Sequence, residues 1–108
     1  MCDGLLEVEY DSPPIVTERI ISGLTGLARY APMLPIHKPS DMVTMGEGDT
    51  PIIPLTKLGS QLGLDCLYGK LEYLNPTGSF KDRGNAVQVT VLKEAGINTI
   101  GEPSAGNA

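Results

Sequence analysis

Hydrophobic and polar positions follow a regular period only in short stretches of the N-terminal part of the chain. Residues 6–10, Leu-Glu-Val-Glu-Tyr, alternate with the period of two that is typical of a half-exposed strand. Residues 15–30 keep helical spacing only loosely. One helical face of that segment would carry Ile20, Leu24 and Leu27, but the glycines between them weaken the prediction of a helix.

A proline-rich stretch follows this segment. Proline fixes its own φ and disfavours the helical region for the residue before it, so closely spaced prolines predict an extended backbone. The prolines concerned are Pro32, Pro35 and Pro39. We therefore predict three segments: an N-terminal segment at residues 1–30, an extended connector at 31–50, and the start of an α/β domain at 51–108.

The pattern becomes regular from residue 50 onwards. Residues 51–55 are short and extended, and Thr56 is a plausible N-cap of a helix that Gly63 ends. Residues 67–71 have the composition of a strand, and Asn75-Pro-Thr-Gly is a strong turn signal.

A longer helix is predicted from about residue 80 to residue 95. Val87, Val91 and Ala95 recur along it every four residues, and Gly96 closes it. Residues 97–100 then form a second predicted strand, followed by a turn at the end of the chain.

The order of these elements predicts an α/β fold. Strands that alternate with helices imply a parallel sheet with right-handed crossovers. Ligands of such sheets bind beyond the carboxyl ends of the strands. The loops at residues 75–81 and 103–107 both follow predicted strands, so we expect them to face the same crevice.

Composition and charge narrow the class of protein. The 108 residues are 41% hydrophobic and 19% charged, as in soluble globular proteins. A net charge of -5 gives no basic stripe for phosphates, so we expect no nucleic-acid partner. No apolar run approaches the ~20 residues of a membrane span. Cys2 and Cys66 provide no disulfide framework, which favours a cytoplasmic location.

The stretch that carries candidate chemistry is residues 75–84, Asn-Pro-Thr-Gly-Ser-Phe-Lys-Asp-Arg-Gly. Ser79 and Asp82 resemble a capping box, which places Ser79 at the N-cap and Lys81 at the second helical position. A lysine at this end opposes the helix dipole, which favours the free amine that attacks a carbonyl group to form a Schiff base. The alternative is a solvated helix start whose charged side chains simply face water.

Two further loops are candidates. Residues 104–107, Ser-Ala-Gly-Asn, could hold a carboxylate with backbone amides and orient a polar ligand through Asn107, or could be an ordinary strand-to-helix loop. Residues 46–51, Gly-Glu-Gly-Asp-Thr-Pro, could form a polar wall of an active site or a plain turn.

These three motifs together resemble one protein family. Residues 75–84 are similar to the lysine motif of the threonine synthase family, which belongs to the tryptophan-synthase-β-like superfamily of pyridoxal-phosphate (PLP) enzymes. Residues 46–51 resemble that family's N-terminal Gly-Glu-Gly-x-Thr-Pro box, and residues 104–107 its substrate and cofactor loop. The resemblance covers roughly residues 29–108 and implies a two-domain, parallel-sheet fold.

The resemblance also implies an activity and roles for single residues. A threonine synthase converts O-phospho-L-homoserine and water to L-threonine and phosphate, and would work as a homodimer at full length. Lys81 would form the Schiff base with PLP and then move protons on the substrate. The other implied ligands are Asn107 and Phe80 for the cofactor, and Ser104, Ala105, Gly106, Thr77 and Ser79 for the substrate. Phe80 could equally be simple core packing, and Asp82 and Arg83 are expected to be mainly structural.

The beginning and the end of the chain limit these expectations. Residues 2–10 resemble the end of the zinc ribbon that precedes many threonine synthases, yet Cys2 is the one ligand left there, so no metal site is predicted. Cys66 is expected in the α/β core, too far away to help. The glycine-rich loop that holds the cofactor phosphate in the family is missing, so we expect an inactive piece of a longer enzyme.

Three alternatives to a threonine synthase stay open at this point. A threonine dehydratase or a sulfur-amino-acid synthase shares the superfamily's motif. A truncated, non-catalytic relative would act through interaction alone. A nucleotide-binding module is disfavoured because the chain has no Gly-x-Gly-x-x-Gly or Walker-type spacing.

Overall fold

The computed structural model describes residue 9 and residues 20–101 of the chain. Three predicted features therefore lie outside the described residues: the strand at residues 6–10 apart from Glu9, the beginning of the loose helix before residue 20, and the loop at residues 104–107. The zinc-ribbon remnant with Cys2 lies outside them as well. Within the described part, no helix is both long and apolar enough to cross a lipid bilayer.

Two short strands form the sheet of the described part. Strand β1 (Ile52–Pro54) and strand β2 (Tyr68–Lys70) pair antiparallel, with Ile53 opposite Gly69. Helix α1 (Thr56–Leu62) connects them. We call this segment the β1–α1–β2 unit. The mixture of helices and strands that was predicted is confirmed.

The predicted parallel arrangement is not observed within residues 20–101. Helix α1 is only about two turns long, and the chain doubles back after it, so that β2 runs antiparallel to β1. Residues 97–100, the second predicted strand, have no strand partner among the described residues and form no strand. The prediction read residues 51–55 as merely extended and so missed the true partner of β2.

Local backbone signals set the ends of α1. Gly63 has a φ of +68° and ends the helix, as predicted, with its N–H directed at the carbonyl oxygens of Gly59 and Ser60. The prediction that Thr56 is the N-cap is wrong by one residue. Leu55 is the N-cap and provides no side-chain hydrogen bond, so Thr56 is the first residue of the helix.

Helix α2 (Lys81–Glu94) matches the predicted helix within one residue at each end. Its buried residues are Asp82, Ala86 and Thr90, which recur every four positions and therefore share one face. The Thr90 hydroxyl oxygen accepts the Val43 N–H at 3.0 Å and donates to the Ala86 carbonyl at 2.7 Å. This face is therefore joined to Val43 through a polar contact.

The apolar stripe found from the periodicity is not the most buried face of α2. Val87 and Val91 are only half-buried, and Ala95 is exposed. Val87 and Val91 instead line an open groove with Leu27 and Leu34. A period of four in apolar residues therefore located the helix but not the face that is packed in the described part.

Helical turns replace part of the predicted extended connector. Two 3-10 helices, Gly26–Met33 and Pro39–Asp41, overlap residues 31–50. Proline permits this because its fixed φ of about -65° suits a 3-10 turn as well as an extended chain. The predicted helix over residues 15–30 is absent from residues 20–25, and Leu24 is exposed. The division of the chain at residues 30 and 50 stays a prediction.

The apolar core of the described part is small. The buried apolar side chains are Leu27, Ala31, Ile36 and Ala86. The segment before β1 is also tied to the end of α2, because the Glu94 carboxylate accepts the backbone N–H groups of His37 at 3.1 Å and Lys38 at 2.7 Å. These hydrogen bonds lower the pKa of Glu94, with His37 the larger cause. Cys66, which was expected in the core, is exposed.

Candidate active site

A short loop joins the 3-10 helix Glu72–Leu74 to α2, which begins at the candidate lysine; we call residues 75–81 the lysine loop. The loop turns at residues 75–78, where the Asn75 carbonyl accepts the Gly78 N–H at 2.8 Å, as the turn signal predicted. The Ser79 hydroxyl then accepts the Lys81 N–H at 3.1 Å. Lys81 is therefore the first residue of α2.

The predicted capping box is wrong in its register. Phe80 is the N-cap residue and makes no side-chain cap bond, so Lys81 occupies the first helical position instead of the second. The buried Asp82 carboxylate accepts both the N–H of Thr77, at 2.9 Å, and the Thr77 hydroxyl. Asp82 thus holds the loop from the helix side, which is the structural role expected of it.

Lys81 presents its amine to solvent. Its Nζ lies 5.8 Å from the ring centroid of Phe80, and no carboxylate among the described residues lies within 4 Å of it. Phe80 is 56% exposed, so within the described part its ring is not core packing. The exposed Thr77 and the half-buried Ser79 lie in the loop that precedes Lys81. The structure thus brings together four of the predicted site residues, while Ser104, Ala105, Gly106 and Asn107 lie outside the described part.

Glu72 is the residue of this site that sequence reasoning missed. Its carboxylate receives a bidentate pair from Arg83: Nε donates to Oε2 at 2.8 Å, and Nη2 donates to Oε1 at 3.0 Å. The Thr50 hydroxyl donates to Oε1 at 2.6 Å. Hydrogen bonds from Arg83, and next from Thr50, lower the pKa of Glu72 from 4.5 to about 2, and Glu72 in turn raises that of Arg83.

Asn75 connects this carboxylate to the Gly-Glu-Gly box. Its Nδ2 donates to the Glu72 carbonyl at 2.8 Å and to Glu72 Oε2 at 3.2 Å, while its Oδ1 accepts the Gly48 N–H at 3.0 Å. Asn75 is 4% exposed, so these polar atoms depend on their protein partners. No sequence signal could have found this arrangement, because Glu72 lies 22 residues from Thr50 and 11 from Arg83.

The Gly-Glu-Gly box forms a closed loop against the same site. Glu47 is 1% exposed, and its Oε2 accepts the Thr44 hydroxyl at 3.0 Å and the Met45 N–H at 2.8 Å. Asp49 accepts the N–H of Gly26 at 2.5 Å. The box therefore supports the lysine loop through Asn75 and Thr50, and its two acids accept hydrogen bonds from residues outside the box.

Comparison with known proteins identifies the family. The profile of the family described as "Pyridoxal-phosphate dependent enzyme" matches residues 43–108. The threonine synthase of Methanosarcina acetivorans is 44% identical over 108 residues, covering 98% of this chain and 26% of that protein. The threonine synthase of Methanocaldococcus jannaschii is 41% identical, covering 98% and 27%.

A threonine synthase from Bacillus sp. (strain ULM1) is 48% identical over 81 residues, covering 75% of this chain and 23% of that protein. No solved structure matches the chain. The chain thus spans about a quarter of the length of these relatives. The resemblance to threonine synthases that the motifs indicate is confirmed. Because the matching profile covers more than half of the chain, the chain belongs to the family of pyridoxal-phosphate dependent enzymes.

Proposed function

We propose that the complete gene product is a threonine synthase, a PLP-dependent lyase that converts O-phospho-L-homoserine and water to L-threonine and phosphate. The observation that carries the proposal is the exposed amine of Lys81 at the first position of α2, in a loop fixed on both sides by hydrogen bonds. Relatives named threonine synthase, 41–48% identical over most of this chain, support the choice of reaction.

The residues of the described part fit PLP. An aldehyde reacts with a free amine, and the Lys81 amine has no carboxylate within 4 Å among the described residues to hold it in an ion pair. The neighbouring Phe80 ring offers an apolar face on the same surface. When bound, PLP supplies an electron sink that stabilises carbanion charge at the substrate.

Each side chain then has a proposed role of its own. Lys81 binds the cofactor and afterwards carries protons to and from the α and β carbons of the substrate. Phe80 packs against the cofactor, while Thr77 and Ser79 line the substrate side. Asn107 orients the cofactor's phenolic oxygen, and residues 104–106 bind the substrate carboxylate.

The finer expectations about the complete protein are part of the same proposal. They are the two-domain, parallel-sheet fold of the tryptophan-synthase-β-like superfamily, a homodimer, a small-molecule substrate and a cytoplasmic location.

The first test locates the cofactor. The complete gene product is treated with PLP and borohydride, and its peptides are analysed by mass spectrometry. We expect the reduced label on Lys81 and its loss in Lys81→Ala, while Lys57→Ala, a change to an exposed lysine of α1, keeps it. Turnover of Lys81→Ala should fall by about 10²–10⁴-fold, the range for removing a positioned proton-transfer group. A label on another lysine would overturn the assignment.

The second test identifies the reaction. The same protein is supplied with O-phosphohomoserine and, separately, with threonine, and the products are separated chromatographically. Formation of threonine and phosphate from the first substrate is expected. A keto acid and ammonia released from threonine as the main reaction would instead identify a dehydratase.

A further inference from the structure

One carboxylate contacts residues on both sides of Lys81 in the sequence. Glu72 Oε2 accepts Nδ2 of Asn75, at the start of the lysine loop, at 3.2 Å. The same oxygen accepts Nε of Arg83, which lies in the first turn of α2 after Lys81, at 2.8 Å. The two ends of the segment that carries the reactive amine therefore meet at a single atom.

We propose that Glu72 is a positioning residue that fixes the amine of Lys81 by tying down both ends of its loop. The proposal rests on the function proposed above and adds to it a residue that never touches the substrate. Holding a reacting group in one geometry is a large source of rate enhancement, and a small misplacement is correspondingly costly. A bidentate Arg–carboxylate pair suits this task because its two parallel hydrogen bonds fix orientation as well as distance.

The second carboxylate oxygen extends the arrangement to the Gly-Glu-Gly box. Glu72 Oε1 accepts the Thr50 hydroxyl at 2.6 Å and Arg83 Nη2 at 3.0 Å. Asn75 reaches the same box through its hydrogen bond from the Gly48 N–H. The box has no chemistry of its own in the proposed reaction. Its role in this proposal is to hold the Glu72 carboxylate, which in turn holds the lysine loop.

The partial exposure of Glu72 and Arg83 distinguishes the positioning role of Glu72 from a purely structural one. The Glu72 and Arg83 side chains are 29% and 26% exposed, so their ion pair is partly screened by water. Ion pairs near the surface contribute little to stability, which means that their loss should leave the fold in place. The position of Lys81 depends on the Glu72–Arg83 pair more directly, because Glu72 anchors both ends of the segment that contains Lys81.

The experiment compares two Glu→Gln variants of the complete gene product. Glu72→Gln keeps the shape of the side chain but can no longer accept at both oxygens. Glu94→Gln is the matched control, because Glu94 also accepts two N–H groups but lies at the far end of α2. The measurements are kcat and KM with O-phosphohomoserine, the rate at which borohydride-trapped PLP appears on Lys81, and the thermal midpoint.

We expect kcat of Glu72→Gln to fall by about 10–100-fold, the scale of a misplaced reacting group, with KM changed less than about twofold. The labelling rate at Lys81 should fall with kcat, while both variants melt at similar temperatures and Glu94→Gln keeps its kcat. Arg83→Lys, which retains the charge but loses the bidentate geometry, should repeat the loss, and Glu72→Asp should restore part of it.

Two results would overturn the proposal. The first is that Glu72→Gln and Arg83→Lys both keep the wild-type kcat and labelling rate. The second is that Glu94→Gln loses as much kcat and labelling rate as Glu72→Gln does. Should Glu72→Gln fail to fold, the same readouts on Arg83→Lys and Glu72→Asp decide. The proposed function fails separately, when the wild-type protein itself takes no label at Lys81 or makes no threonine.

Discussion

Two regions of the described part are ordered in different ways. The first, which we call the clamp region, consists of residues 44–50 and 72–83. Several of its hydrogen bonds join residues far apart in the sequence: Gly48 and Asn75 are 27 residues apart, and Thr50 and Glu72 are 22 apart. Its buried residues are polar or charged, namely Glu47, Thr50, Asn75 and Asp82.

The β1–α1–β2 unit, residues 52–70, has the opposite character. Its backbone contacts are internal, such as the hydrogen bond from Leu55 N–H to the Leu67 carbonyl at 2.9 Å. Its large apolar side chains are mostly exposed: Ile52, Ile53, Leu58, Leu62, Leu64 and Tyr68. A two-stranded pair is marginally stable by itself.

The difference between the two regions shows which of them holds its residues in a precise geometry. Directional polar contacts hold the loop of Lys81 in one shape, because each hydrogen bond restricts both distance and angle. The β1–α1–β2 unit provides connection and apolar surface instead. Backbone substitutions in the clamp region should therefore disturb both stability and cofactor attachment, while those in the other unit should act on stability alone.

The largest effect on stability is expected from Gly48→Ala in the clamp region. Gly48 has a φ of +105°, and a Cβ there would lie 2.8 Å from the Cα of Gly26. The backbone strain costs about 1–3 kcal/mol, and forcing apart two backbones adds about 1–3 kcal/mol. Thermal unfolding of the complete gene product measures the loss, and PLP labelling of Lys81 should weaken with it.

Gly46→Ala is the matched control for this substitution. Gly46 has a similar φ of +89°, but no atom of residues 20–101 outside its own neighbours lies within 4 Å of the added Cβ. Its loss should therefore be limited to the strain of about 1–3 kcal/mol. Equal losses in the two variants would show that the close approach to Gly26 does not contribute.

A smaller loss is expected from Gly59→Ala in the β1–α1–β2 unit. Gly59 is the buried residue of α1, and an added Cβ would lie 2.6 Å from the Leu64 carbonyl oxygen. The overpacking costs about 1–3 kcal/mol, which the better helix propensity of alanine offsets by about 1 kcal/mol. The thermal midpoint should fall while PLP labelling of Lys81 persists.

Gly84→Ala in α2 is the control for helix propensity. No atom of the described part lies within 4 Å of a Cβ at this position, so the gain of about 1 kcal/mol should stand alone. A rise in the midpoint for Gly84→Ala beside a fall for Gly59→Ala is the expected pair of results. A rise in both thermal midpoints would mean that the backbone near Leu64 shifts easily to make room for the added Cβ.

These two regions also explain what the sequence could and could not predict. Neighbouring residues determine three features: the end of α1 at Gly63, the turn at residues 75–78 and the bounds of α2. All three were predicted nearly correctly. The antiparallel partner of β2 depends on how the chain doubles back after α1. The packed face of α2 depends on contacts with residues 43–50, which a period of four cannot identify.

The sequence indicated the candidate lysine, whose role toward the cofactor stays a prediction, but not the residues that support it. Lys81 was identified from its motif, and the structure gives it an exposed amine at a helix start. Glu72 belongs to none of the sequence motifs. Its role depends on contacts with Thr50 and Arg83, which lie in other segments of the chain. The prolines predicted an extended connector, but proline's φ suits 3-10 helices as well as an extended chain, and two such helices overlap it.

The smallest effect expected is the acid dependence of the clamp region. The pKa of Glu72 is lowered from 4.5 to about 2, so the unfolded chain binds more protons than the folded one between these values. The stabilisation from Glu72 is therefore complete above about pH 4.5 and is lost as the pH falls toward 2. Thermal midpoints measured across this window should fall less steeply in Glu72→Gln than in the wild type. Lys57→Ala, which removes no carboxylate, should keep the wild-type slope, and a Glu72→Gln slope equal to both would show that the clamp does not hold this carboxylate in solution.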